Sequence, residues 1–75
     1  SNKQIDMIVI LRNHKKEIQK NAEFVGNNFT KEAKAIQEGK SKERAIYGQA
    51  DAKDLEELKS KNIDFINVPW VQDDN

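Results

Sequence analysis

The chain has 75 residues, of which 36% are apolar and 35% charged, and its formal net charge is zero. A chain this short forms one small domain, and with so few apolar residues it has little core with which to stabilise itself. It contains no cysteine, which excludes disulfides, thiolate metal sites and a cysteine nucleophile. We therefore expect a single α/β domain over residues 1–75 that gains stability from a partner.

The first predicted element is a strand over residues 5–11 (IDMIVIL). This stretch is short and rich in β-branched residues, and apolar residues occupy both of its alternating faces. A strand with one face in water would alternate apolar and polar residues, so this strand is expected to be central and covered on both faces. The longest apolar run, residues 7–11, is far shorter than the ~20 residues of a membrane span, so we expect no membrane contact. The absence of cysteine is compatible with a reducing cytoplasm, which is the location we expect.

A helical pattern follows this strand. Asn13 is a candidate N-cap, and apolar residues then recur every three or four positions from Ile18 to Ile36. One straight helix over residues 14–38 would be ~37 Å long, against ~23 Å for a seven-residue strand. The sequence GNN at residues 26–28 is a weak point. We therefore favour two helical segments or one kinked helix.

The remaining chain predicts a strand, a helix and a strand. Residues 44–49 (RAIYGQ) form the second strand, Asp51 caps the next helix, and Asn62 adopts the left-handed turn before a third strand over residues 63–68. Residues 71–75 are expected to be a frayed tail. The predicted fold is α/β, with the order β-α-(α)-β-α-β and a small three-stranded, mostly parallel sheet. A 2-1-3 strand order places helices on both faces and covers the first strand twice.

This topology predicts a candidate site at the end of the first strand. Open parallel sheets bind ligands beyond the carboxyl ends of their strands, where the strand order reverses. A helix that begins there directs backbone N–H groups at an anion, which predicts a small anion- or nucleotide-binding module. The loop lacks glycines that would let its backbone approach a phosphate closely, and the same residues can simply cap a helix and close a core. The residues of this candidate site are Arg12, Asn13, His14, Lys15 and Trp70.

The sequence offers little catalytic chemistry. His14 is the only histidine, and the three glycines form neither a P-loop nor a dinucleotide-binding fingerprint. The stretch from Tyr47 to Val68, with the sequence DLEELK at its centre, resembles the strand-helix-strand that opens some dual-specificity-like phosphatases. Those enzymes act through a cysteine that this chain lacks, so the resemblance implies βαβ geometry alone. We expect a non-enzymatic protein without a cofactor or a metal site.

The function that the sequence favours is a small interaction or regulatory module that acts through protein–protein contacts. Residues 1–44 carry ten basic and six acidic residues, a balance of +4, and residues 45–75 carry three and seven, a balance of −4. Opposite charge on the two halves favours association with another protein or with a second copy, as a homodimer. Tyr47 and Trp70 are expected at the interaction surface, because both residue types are enriched in interfaces.

Nucleic-acid binding is the alternative function. A basic face would neutralise phosphates and make binding steeply dependent on salt. The zero net charge and the glutamates interleaved with the lysines count against it. The residues of this candidate face are Lys15, Lys16, Lys20, Lys31, Lys34, Lys40, Lys42 and Arg44.

Overall fold

The computed structural model describes the backbone of residues 2–72 and the side chains of residues 6–72. This part of the chain is a mixed α/β fold with three helices and one two-stranded parallel sheet. The elements in chain order are α1 (Asn2–Asn21), β1 (Glu23–Gly26), α2 (Phe29–Gln37), β2 (Ile46–Gly48) and α3 (Ala52–Ser60).

Helix α1 replaces the strand that was predicted over residues 5–11, and that prediction is wrong. No glycine or proline interrupts the chain before residue 26, so helical structure extends back through the β-branched residues. Strand propensity is weak wherever a segment has no neighbouring strand to pair with. Asn13 therefore lies inside α1 rather than at its start. The helix ends at Asn21, whose side-chain Nδ2 donates to the backbone carbonyl of Glu17 at 2.9 Å.

Strand β1 divides the helical stretch that was predicted over residues 14–38. The preference for two helical segments is confirmed, but the strand between them was missed. A turn at residues 27–28 separates β1 from α2, and Gly26 enters it with a φ of +54°, a left-handed conformation that favours glycine. The chain therefore forms β1 immediately before the weak point that the sequence identified.

Strands β1 and β2 pair in parallel across the α2 crossover, as expected for strands joined by a helix. Phe24 lies opposite Tyr47, and a bulge follows before Gly26 lies opposite Gly48. A Cβ atom on Gly48 would clash with the carbonyl oxygen of Gly26, which also accepts a hydrogen bond from the Gln49 N–H at 3.0 Å. Glycine at residue 48 is thus what lets the two strands approach at the bulge.

The carboxy-terminal part agrees with the prediction in part. Strand β2 lies within the predicted residues 44–49, and Asp51 caps α3 by accepting the Asp54 N–H at 2.8 Å. Asn62 follows α3 with a φ of 58°, the expected left-handed turn. The described residues 63–72 form no strand, so neither a third strand nor the 2-1-3 order is confirmed. Of the predicted frayed tail, residues 73–75 lie outside the described residues.

The core lies between α2, α3 and the sheet. Helix α2 packs against both strands and against α3. Leu58 is completely buried, and Ala33 is buried on the facing helix. At the edge of this core the Lys34 ammonium donates to the Glu57 carboxylate at 2.9 Å and joins α2 to α3. This packing holds β1 and β2 in place and thereby positions the surface described next.

Candidate interaction surface

Three aromatic side chains lie in a row on the surface. Phe24 and Tyr47 are neighbours across the strand pair, with ring centroids 5.2 Å apart, and Tyr47 lies 5.6 Å from Trp70 in the carboxy-terminal segment. Phe24 is 59% exposed, Trp70 is 45% exposed and Tyr47 between them is half-buried. We call these three residues the aromatic row. Neighbouring rings restrict one another's rotation, so the three side chains would lose little conformational entropy if a partner bound to the row.

Lys15 ties the end of the aromatic row to α1. Its side chain is buried, its ammonium donates to the Val71 carbonyl oxygen at 2.9 Å, and it lies 5.3 Å from the centre of the Trp70 ring. A cation over an indole ring is attracted by the negative face of the ring. Lys15 therefore holds the carboxy-terminal segment across the molecule and acts as a positioning residue for Trp70.

An open groove of about 850 Å³ lies along the aromatic row. The row forms part of its wall together with Ile18 of α1 and Phe29 and Ile36 of α2, and most of its other lining residues are apolar. His14 also reaches the groove. Concave sites of this size that are mostly apolar, with a few polar groups, are the usual form of a binding site.

The anion site predicted from the sequence loses its geometric basis. Arg12, Asn13, His14 and Lys15 lie in the middle of α1, where backbone N–H groups bond within the helix rather than pointing at a ligand. Of these predicted residues, Lys15 contacts Trp70, and His14 lines the same groove as Trp70. Asn13 faces water and Arg12 is half-buried. The structure thus gathers part of the predicted set around an aromatic ring and not at a helix terminus.

Half of the predicted basic face is engaged with acceptors. Lys15 binds the Val71 carbonyl, and Lys34, Lys40 and Arg44 form ion pairs with carboxylates at 2.9 to 3.1 Å. The other four predicted cations are exposed: Lys16, Lys20, Lys31 and Lys42. Engaged cations have to leave their partners before they can bind phosphate, so the structure offers less basic surface than the sequence suggests.

Arg44 organises a polar cluster that the sequence analysis missed. Its Nη2 donates to the Glu23 carboxylate at 3.1 Å and to the Glu32 carboxylate at 3.0 Å, while Nη1 donates to the Ser41 hydroxyl at 3.2 Å. These hydrogen bonds from the guanidinium lower the pKa of the carboxyls of Glu23 and Glu32. The cluster joins β1, α2 and the loop before β2. Nothing in the sequence spacing indicated that these distant residues would meet.

The amino-terminal half of α1 carries a second exposed apolar surface, residues 7–10, which we call the projecting segment. Successive residues of a helix point about 100° apart, so four consecutive apolar residues cover its whole circumference. Their exposed fractions are 55% for Met7, 41% for Ile8, 48% for Val9 and 59% for Ile10. From Leu11 onwards, the side of α1 that carries Lys15 and Ile18 is half-buried or buried.

Comparison with protein-family models identifies the family of this chain. A family model described as Protein of unknown function (DUF1178) matches residues 1–73. The chain belongs to this family. No curated protein and no solved structure matched the DUF1178 chain. The family description carries no activity, so function has to be argued from the surfaces described above.

Within residues 2–72, no helix is long and apolar enough to cross a bilayer. Within the same residues, no three side chains among histidine, aspartate and glutamate lie together so that they could hold a metal ion.

Proposed function

We propose that this chain is a non-enzymatic interaction module that acts through protein–protein contacts at the aromatic row. The observation that carries the proposal is the exposure of Phe24 and Trp70 at 59% and 45% in a row whose rings lie 5.2 and 5.6 Å apart. Tyrosine and tryptophan dominate the energetically important residues of protein interfaces. Contiguous exposed apolar surface on a small domain marks interaction sites.

Ion pairs within the chain occupy part of the predicted basic face, which favours a protein partner over a nucleic acid. Nucleic-acid affinity depends on cations that are available to phosphates, whereas Lys34, Lys40 and Arg44 bind carboxylates of this chain. The groove beside the aromatic row is lined mostly by apolar residues and could accommodate an apolar side chain of a protein partner. An anchor residue that enters such a groove and excludes water is the usual source of interface affinity.

The test compares two exposed residues. Phe24→Ser removes one end of the aromatic row, and Gln19→Ser changes an exposed residue of α1 that lies outside both the row and the groove lining. We expect tagged wild-type protein and Gln19→Ser to capture the same partner from a host extract, and Phe24→Ser to lose it. The purified partner should shift the fluorescence of Trp70, the single tryptophan.

A partner that Phe24→Ser retains in full would contradict the proposal. Circular dichroism of both variants establishes that they are folded. A gel-shift series at low salt with mixed RNA and DNA gives the competing result: retardation that Phe24→Ser leaves unchanged would favour the nucleic-acid function instead.

A further inference from the structure

We infer that the groove beside the aromatic row binds the projecting segment of a second copy of this chain, in a reciprocal exchange that forms a symmetric dimer. This inference rests on the proposed function, because it names the partner of the same surface. Two features of one molecule lead to it: the projecting segment, whose four apolar side chains are 41% to 59% exposed, and the mostly apolar groove beside the aromatic row.

The projecting segment requires burial on more than one side. A helix that is apolar all round is typical of a protein interior, whereas a helix that rests on a flat surface is apolar on one face only. Met7 and Ile10 are 55% and 59% exposed, and Ile8 and Val9 between them are also exposed. A flat contact would leave part of this circumference in water. A groove encloses a helix from several sides and is the complement that this segment needs.

The groove is large enough for the segment. Residues 7–10 form a helical cylinder ~6 Å long and ~10 Å across, which occupies ~470 Å³. The groove measures about 850 Å³. Phe29 and Ile36 at the groove and the aliphatic side chains of the segment are chemically alike, so burial would remove apolar surface from water on both partners.

The charge distribution supports the same arrangement. The projecting segment belongs to residues 1–44, which have a balance of +4. Most residues that line the groove, Tyr47 and Trp70 among them, belong to residues 45–75, which have a balance of −4, while Phe24 and the lining residues of α1 and α2 belong to the first half. An exchange therefore places the segment of one copy beside a surface that comes mostly from the half of opposite net charge.

Reciprocity supplies the area that a stable interface needs. Four half-exposed aliphatic side chains offer roughly 200–400 Å² of apolar surface per copy. In an exchange two segments and two grooves are covered, so the total buried area is about four times this value and reaches the ~1,000 Å² of a specific interface. When both segments are exchanged between the same two copies about a two-fold axis, neither a segment nor a groove is left over, so the assembly closes at two copies rather than growing into a filament.

The first test is the oligomeric state of matched charge variants. Sedimentation velocity over a concentration series should give a dimer for the wild type. Val9→Asp places a carboxylate within the buried segment and should weaken the dimer by at least about tenfold. Gln19→Asp adds the same charge to an exposed position of α1 outside the segment and should leave the dimer unchanged. Equal weakening by both variants would overturn the exchange.

The second test traps the contact itself. The chain has no cysteine, so mixing the variants Ile10→Cys and Phe24→Cys under oxidising conditions can form a mixed disulfide only between segment and groove. We expect this heterodimer to exceed that of the control pair, Gln19→Cys with Phe24→Cys. A homodisulfide of Ile10→Cys that forms faster than the heterodimer would overturn the inference, because it would show that α1 pairs with α1.

The outcomes separate this inference from the proposed function. A wild-type monomer up to several hundred micromolar overturns the exchange. If that monomer still captures another protein in a manner that Phe24→Ser abolishes, the aromatic row retains its proposed role. If Phe24→Ser changes neither self-association nor capture, both proposals fail.

Discussion

Aliphatic side chains occur both in the packed region around α2 and α3 and in the projecting segment of α1, but they are buried in the first and exposed in the second. Leu58 is completely buried between elements that also share hydrogen bonds and ion pairs, whereas Ile10 is 59% exposed. The difference lies in the available neighbours, because apolar residues stabilise a fold only where other surfaces exclude water from them. Position relative to the sheet, and not hydrophobicity alone, separates the buried apolar residues of this protein from the exposed ones.

The largest expected effect comes from exchanging a residue in each region for alanine. Leu58→Ala should lower the free energy of unfolding by about 2–5 kcal/mol, because it leaves a cavity in the core. Val9→Ala should change it by less than about 0.5 kcal/mol in the monomer. Urea unfolding followed by circular dichroism at low protein concentration measures both. A comparable loss for the two variants would mean that the projecting segment packs on its own chain, and the comparison would fail.

A smaller effect distinguishes two helix caps within the packed region. Asp51 accepts the Asp54 N–H at 2.8 Å, whereas Asn28, at the corresponding position of α2, makes no capping hydrogen bond through its side chain. Asp51→Ala should therefore cost about 1 kcal/mol and Asn28→Ala a few tenths. Thermal unfolding of both variants at neutral pH provides the measurement. Equal losses would show that helix propensity, rather than the hydrogen bond, governs these positions.

The smallest effect is expected from acid, because the carboxylates of Glu23 and Glu32 face water that screens their attraction to Arg44. Arg44 lowers the pKa of both carboxyls in the folded state. Their contribution to stability is therefore present above the pKa of the unfolded chain and is lost as the pH falls through the folded value, below about pH 5. Arg44→Met should flatten this acid dependence.

The matched control for that experiment is Lys16→Met, which removes one positive charge from an exposed position of α1. Thermal unfolding of wild type and both variants between about pH 7 and pH 3 gives the comparison. An acid dependence that is the same for the two variants would show that net charge, and not the hydrogen bonds of the Arg44 cluster, produces it.

Local signals in the sequence were sufficient for part of the fold. Asp51 as a cap, Asn62 as a left-handed turn and the strand around Tyr47 were predicted correctly, because each depends on residues within a few positions of one another. Residues 5–11 were predicted as a strand and form a helix, because their β-branched composition says nothing about whether another strand lies beside them.

For the candidate site, the sequence identified residue types and missed their arrangement. Tyr47 and Trp70 were expected at an interaction surface and lie 5.6 Å apart, but Phe24 between α1 and α2 was assigned to a helix and not to their row. A signal was present in the phenylalanine and valine directly before the turn residues 26–28, since such a pair ahead of a turn is typical of a short strand.

The sequence by itself determined the absence of cysteine from these 75 residues, the separation of their charges and those turns and caps that depend on near neighbours. Only the tertiary structure decided which apolar residues become core and which stay exposed, and that Arg44 meets Glu23 and Glu32. The physical reason is that burial and ion pairing depend on contacts between residues distant in the chain, and those contacts exist only once helices and strands have packed.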